Sequence, residues 1–165
     1  MPLHEAAGRL SRAEAEDFLI RQAEYLDSRD FRGWERLFLP GGHYWIPLKP
    51  DDTDPETQLS VMYDDGALMT ARIARLEDPH AGSQQPPTRS SHLIGNIRVE
   101  EGQGSEIRLR SRFHVTQFRR DVAMQFAGAY THFLRREDGA LRIWLQRVDL
   151  VSADGVYDYN LQIYL

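Results

Sequence analysis

The sequence contains no cysteine. That excludes disulfides, thiolate nucleophiles, Cys-ligated zinc and any Cys-ligated iron–sulfur cluster in this chain. Lysine is almost absent: Lys49 stands alone, and the other 19 basic residues are arginine. No apolar run approaches the roughly 20 residues of a membrane span. The opening stretch, Met1 to Ser11, lacks the apolar centre of a secretory signal. Glycine-rich phosphate loops and a Gly-x-Ser-x-Gly elbow are also missing. The formal net charge of −5 gives no overall pull toward nucleic acid or an anionic bilayer. These absences lead to the expectation of a cytoplasmic protein with neither a nucleic-acid nor a membrane partner.

What remains is an ordinary globular composition, 41% hydrophobic and 27% charged over 165 residues, enough for one self-sufficient core. There is no internal repeat. Lys49 to Pro55 reads as an acidic, Pro-flanked loop, and Glu77 to Pro87 as a longer one. Neither is long enough to separate independent cores, so a single domain over residues 1–165 is expected.

The first half of the chain has helical patterning. Ser11-Arg12-Ala13-Glu14 is a capping-box sequence, and Ala15, Phe18, Leu19, Gln22, Ala23 and Leu26 then share one helical face. Asp17 and Arg21 form an i,i+4 pair on the opposite side. A second short helix is expected after Asp30, carrying Phe31, Trp34, Leu37 and Phe38 and stopping at Pro40-Gly41-Gly42. A third runs from Asp65 to Leu76, with Leu68, Met69, Ile73 and Leu76 apolar.

Strand signals follow. His43 to Leu48 is rich in aromatic and branched residues. Ile107, Leu109, Phe113 and Val115 alternate with Arg108, Arg110, Arg112 and His114, a period of two with one apolar and one basic face. Val122, Met124, Phe126, Tyr130 and Leu134 continue the rhythm. Glu137-Asp138-Gly139 is a hairpin signal, and Leu141, Ile143 and Leu145 return from it. Helices followed by long consecutive strands predict an α+β fold. The implied shape is a strongly curved, cone-like sheet wrapped around the N-terminal helices.

Such a cone is either a pocket or a packed core. In the first case His43, Tyr44, His92, His114, His132 and Asp149 are the groups that could line it. His92, His132 and Asp149 would then serve acid–base chemistry, as in an isomerase, dehydratase or cyclase. In the second case the histidines are hydrogen-bonded strand residues without chemistry. No two histidines stand at the spacing of a helical ligand pair, so no metal site is indicated. The arginines at 108, 110, 112, 119 and 120 are the clearest local charge feature. They make a solvated strand face or a protein interface, where arginine is enriched. No stacking aromatic interleaves them before Phe118, which argues against nucleic acid.

Several blocks together resemble one family. They are Glu24-Tyr25-Leu26-Asp27 with Phe31-Arg32-Gly33-Trp34 and Leu37-Phe38; Tyr44-Trp45-Ile46-Pro47-Leu48; and Tyr63-Asp64-Asp65 with Leu68 and Arg72-Ile73-Ala74-Arg75-Leu76. The most specific is Pro87-Thr88-Arg89-Ser90-Ser91-His92-Leu93-Ile94-Gly95-Asn96-Ile97-Arg98-Val99. Phe126-Ala127-Gly128 and the closing Asn160-Leu161-Gln162-Ile163-Tyr164-Leu165 also fit. The chain resembles the small (β) subunit of aromatic-ring-hydroxylating dioxygenases, the Rieske-type non-haem iron oxygenases. The resemblance implies the cone fold shared with nuclear transport factor 2 and scytalone dehydratase. It implies no catalytic, cofactor-binding or metal-binding residue in this chain. It also implies a large (α) subunit partner bearing a Rieske [2Fe-2S] cluster and a mononuclear Fe(II), with three small subunits as a trimeric base in a three-large-three-small hexamer. A Rieske centre needs two cysteines and two histidines, and this chain has no cysteine to offer. Trp34, Trp45, Trp144, Arg108, Arg110 and Arg112 are the candidates for interface residues.

Overall fold

The computed structural model describes residues 9–102, 104–155, 161 and 163–165. Helix α1 (Arg12–Asp27) starts as its sequence dictates. Ser11 Oγ accepts from the Glu14 amide, and the Glu14 carboxylate accepts from the Ser11 amide, at 3.2 and 2.9 Å. All six residues of its predicted face are buried. The i,i+4 ion pair on its outer side is Arg12–Glu16 at 2.9 Å rather than Asp17–Arg21. Helix α2 (Phe31–Glu35), capped by Asp30, is shorter than predicted. Leu37 and Phe38 fall outside it, and β1 (Phe38–Pro47) runs straight through Pro40-Gly41-Gly42. Those three residues form an irregularity in the strand instead of a stop. Gly42 packs so close to its neighbour that a Cβ there would lie 2.8 Å from the Ile143 carbonyl oxygen.

Strand β2 (Ser60–Asp64) leads into α3 (Gly66–Glu77), whose N-cap is Asp65. Met69, Ile73 and Leu76 are buried, whereas Leu68 stays half exposed. Then come β3 (Arg89–Glu101), β4 (Ile107–Arg119), β5 (Val122–Glu137) and β6 (Ala140–Leu150). They form one six-stranded sheet in the order β2-β1-β6-β5-β4-β3, antiparallel except for the β1–β6 pair. Both tight hairpins use two left-handed residues, the geometry that matches strand twist: Arg120-Asp121 and Asp138-Gly139. The first has no glycine, so its residues carry no turn signal.

The alternation of β4 holds as predicted. Leu109, Ser111, Phe113, Val115 and Gln117 point inward, and Arg110, Arg112 and His114 outward. Opposite them on β5 the inward row is Phe126, Gly128, Tyr130, His132 and Leu134. In β6 the inward parity changes after Ile143, because a bulge at Trp144 brings Gln146, Val148 and Leu150 onto the inner face. The helices lie on the concave side, so sheet and helices together enclose a single core. Of the closing block, Leu161 and Ile163–Leu165 join that core; Asn160 and Gln162 lie outside the described residues.

The inner surface leaves little room. A Cβ at Gly128 would lie 2.1 Å from the Asp149 carbonyl oxygen, a contact that backbone alone can relieve. Gly128→Ala is expected to cost about 2–3 kcal/mol, read from the denaturant midpoint. Gly82→Ala, with open space around it, should stay within about 0.5 kcal/mol of the parent.

Candidate functional site

Two surfaces compete for the role of functional site, the inside of the cone and the outside of the sheet. The inside is filled by side chains. Trp34, Tyr44, Phe113, Phe126, Tyr130 and Tyr164 are all fully buried. Trp34 stacks on Tyr164 with ring centres 4.3 Å apart, and Phe113 on Tyr130 at 4.2 Å. The segment Ile163–Leu165 occupies the space among them. The Tyr44 hydroxyl donates to the Leu165 carbonyl and accepts from the Leu165 amide, at 3.3 and 3.1 Å. The Tyr164 hydroxyl donates to Asp64 at 2.7 Å, and Arg72 holds the same carboxylate through two hydrogen bonds at 2.8 and 3.1 Å.

His132 lies at the centre of this core. Its Nε2 donates to the Gln22 Oε1 at 2.8 Å, Gln22 Nε2 donates to Gln146 Oε1 at 2.8 Å, and Gln146 Nε2 reaches the Leu165 carbonyl at 3.5 Å. Phe18 and Tyr130 present their edges to the imidazole ring. Burial disfavours the imidazolium and pushes the His132 pKa down to about 3. The ring is therefore neutral throughout the physiological range, with its one N–H committed to Gln22.

The predicted His/Asp pairing does not form. Asp149 lies on the outer face of β6, where it holds the Arg147 guanidinium through hydrogen bonds of 2.9–3.1 Å. The strand's alternation places Val148 inward and so Asp149 outward. The carboxylate that does meet a histidine is Asp27, at the end of α1. It accepts from the His92 amide at 2.9 Å and from Ser90 Oγ at 2.8 Å, and lies 2.5 Å from His92 Nδ1. Burial opposes ionisation of Asp27, but the hydrogen bonds and charge of His92, with help from Ser90, outweigh it and hold the carboxyl below its ordinary range. Sequence periodicity could not find this pair, since 65 residues separate its members. It has the composition of an acid–base dyad, but the His92 side chain is only 1% exposed. Surface clefts of about 440, 690 and 420 Å³ are lined by residues other than His92, His132 and Asp149, and a smaller one of about 310 Å³ borders Ser90 without His92 in its lining. Among the described residues no group of three or more His, Asp or Glu is placed to hold a metal ion.

The outside of the sheet is different. Arginines lie over aromatic rings across it: Arg89 on Phe118, Arg108 on Phe133, Arg135 on Trp144 and Arg147 on Trp45, at 4.4–5.1 Å. Arg110 and Arg112 stand exposed, and Arg110 reaches Glu100 at 3.4 Å. Of the six expected interface residues, these two are the open ones, and Arg108 and Trp144 are half-buried. Trp34 and Trp45 are spent inside the chain. Trp34 has no exposed surface, and Trp45 is covered by Arg147 with its Nε1 donating to Ser60 at 2.8 Å.

The comparisons with known proteins agree with one another. A family model described as ring hydroxylating beta subunit matches residues 21–154. The chain is 31% identical over 136 residues to the small oxygenase component of the p-cumate 2,3-dioxygenase system of Pseudomonas putida, covering 81% of this chain and 76% of that one. The beta subunit of benzoate 1,2-dioxygenase from Burkholderia mallei superposes with a TM-score of 0.73 at 20% identity, covering 93% and 99% of the two chains. A chain of naphthalene 1,2-dioxygenase superposes with a TM-score of 0.81 at 19% identity, covering 100% and 89%. At those identities the solved structures speak for the fold.

The buried histidine has a consequence for stability. Its pKa is 6.5 as the reference and about 3 in the folded chain, so below pH 6.5 the unfolded chain takes up a proton that the folded chain refuses. The stabilisation is complete above pH 6.5 and is lost progressively as pH falls toward 3, by at most about 1.4 kcal/mol per pH unit for one proton. Denaturation midpoints measured from pH 7.5 to 4.5 should decline, and His132→Gln should remove that share of the slope.

Proposed function

The chain belongs to the ring hydroxylating beta subunit family, and from that premise we propose that it is the non-catalytic small subunit of an aromatic-ring-hydroxylating dioxygenase. In this reading residues 1–165 act as one cytoplasmic domain. Three copies form a base, and three large subunits stand on it to carry out cis-dihydroxylation of an aromatic compound. The Rieske cluster belongs to the large subunit, because this chain has no cysteine to supply a cluster ligand, and the mononuclear iron is assigned to the large subunit with it. The large subunit likewise supplies the pocket for the ring.

One observation supports this division of labour above the others. The cone that could have housed chemistry is occupied by the chain's own Ile163–Leu165 segment and by stacked rings. The imidazole at its centre is neutral and bonded to Gln22. A free-standing isomerase, dehydratase or cyclase needs acid–base groups converging on open space. His132 has no open space beside it, and Asp149 is on the other face of the sheet. What the chain offers a partner is its outer surface, where arginine and aromatic side chains alternate, the composition of protein interfaces.

The test is to weigh the purified chain alone and co-expressed with a ring-hydroxylating dioxygenase large subunit from the same organism, counting iron in both samples. An iron-free trimer alone, becoming an iron-containing hexamer that dihydroxylates an aromatic substrate, is the expected result. A monomer or dimer indifferent to the large subunit would refute the assignment. Asp27→Asn and His132→Gln should leave turnover of the assembled complex unchanged while lowering its unfolding temperature; a selective loss of turnover would point to chemistry in the cone.

A further inference from the structure

The strand register lays out the outer face in rows. Leu93, His114 and Ala127 lie side by side on β3, β4 and β5, and the Val151 amide donates to the Ala127 carbonyl at 3.0 Å. The two ends of that row, Leu93 and Val151, are each 74% exposed. The next row has Gly95, Arg112 and Ala129, so small residues leave a flat floor beside an arginine. In the row after it Arg98 stands directly opposite Arg110, a like-charge pairing that disfavours the isolated sheet. Among the described residues Arg98 and Arg112 have no hydrogen bond or ion pair, and Glu100 is the one carboxylate that meets Arg110. Asp149, on the same face, is taken by Arg147. A row with exposed Leu93 and Val151 at its ends and His114 between them, bordered by Arg98 and Arg112 without a counter-charge and by Arg110 with Glu100 alone, has apolar ends and a charged rim, as protein interfaces do.

A surface of matching character lies on the same chain. The segment from Asp51 to Leu59 carries exposed carboxylates at Asp51, Asp54 and Glu56, and Leu59 is 81% exposed. None of these carboxylates meets a cation among the described residues. Asp54 accepts from Thr57 and the Glu56 amide, and Glu56 from the Tyr63 hydroxyl, all neutral donors. The loop is also held in shape before any contact is made. Gln58 Oε1 accepts the amides of Thr53 and Asp54 at 2.8 and 2.7 Å, and Arg147 binds the carbonyls of Pro50 and Asp52 at 2.8 and 2.6 Å. Little ordering entropy is left to lose on docking.

We propose that the Asp51–Leu59 loop of one copy docks on the outer face of β3 and β4 of a second copy, its carboxylates on Arg98, Arg110 and Arg112 and its leucine against the Leu93 row. Two opposite charges, two exposed apolar groups and a preformed loop match within one sequence. This inference rests on the self-assembly proposed above and names the residues that make it.

The test compares four chains by sedimentation: the parent, Arg110→Glu/Arg112→Glu, Asp51→Arg/Glu56→Arg, and the chain carrying all four reversals. All the sites are exposed, and circular dichroism checks that each variant folds. Each double variant should raise the dissociation constant of self-assembly roughly 100-fold, and the quadruple variant should regain most of it. The parent's assembly should also weaken with added salt. A parent that is monomeric overturns both this inference and the trimeric base. A trimer that survives both double variants, or a quadruple variant that stays apart, overturns this inference alone. So does an arginine double variant that remains trimeric but no longer recruits the large subunit, because the face would then belong to that partner.

Discussion

The buried hydrogen-bond relay from His132 through Gln22 and Gln146 to the Leu165 carbonyl is the constraint on which the rest of this structure depends. These side chains are almost wholly out of water, where an unpaired amide or imidazole group costs about 1–3 kcal/mol. Each member comes from a different element: β5, α1, β6 and the closing segment. Satisfying one obliges the next to be in place, so the relay fixes where the helix lies on the sheet and where the segment enters. Asp64 does the same further out by binding Arg72 of α3 and the Tyr164 hydroxyl at once.

That arrangement separates the two faces of the sheet by purpose. The middle of the concave face is consumed by packing, and its buried His132 lines none of the larger surface clefts. The convex face carries what packing did not need. Its arginine–aromatic pairs cover the sheet while keeping their charges at the surface, because the guanidinium is weakly hydrated and lies readily on a ring. The chain belongs to a family whose members include small components of ring dioxygenases, and the role proposed for it is to contribute surface rather than chemistry. The proposed trimeric base and the loop-to-sheet contact both follow from that division.

The sequence is legible where a local rule has no competitor. The capping box of α1, its buried face, the alternation of β4 and the Asp138-Gly139 turn all stand as their residues predict. It misleads where neighbours override propensity. Leu37 and Phe38 continue a helical pattern, yet pairing with β6 draws Phe38 into a strand. Pro40-Gly41-Gly42 punctuates like a terminator but is absorbed as an irregularity around Trp144, because Gly41 and Gly42 allow the backbone to pass close to β6. Arg120-Asp121 turns a hairpin with no glycine, forced by the two long strands that it joins.

The candidate site divides along the same line. The α+β class, the basic face of β4, the lack of cluster ligands and the family can all be read from the residues alone, since composition and period two are properties of single segments. Packing in three dimensions was needed to turn Asp149 outward, to bring Asp27 to His92, to bury Trp34 and Trp45 within the chain and to close the cone. Side-chain direction depends on bulges and on strand pairing, and the Asp27–His92 contact joins residues 65 apart. Distances of that kind are set by how elements pack, and no local pattern encodes them.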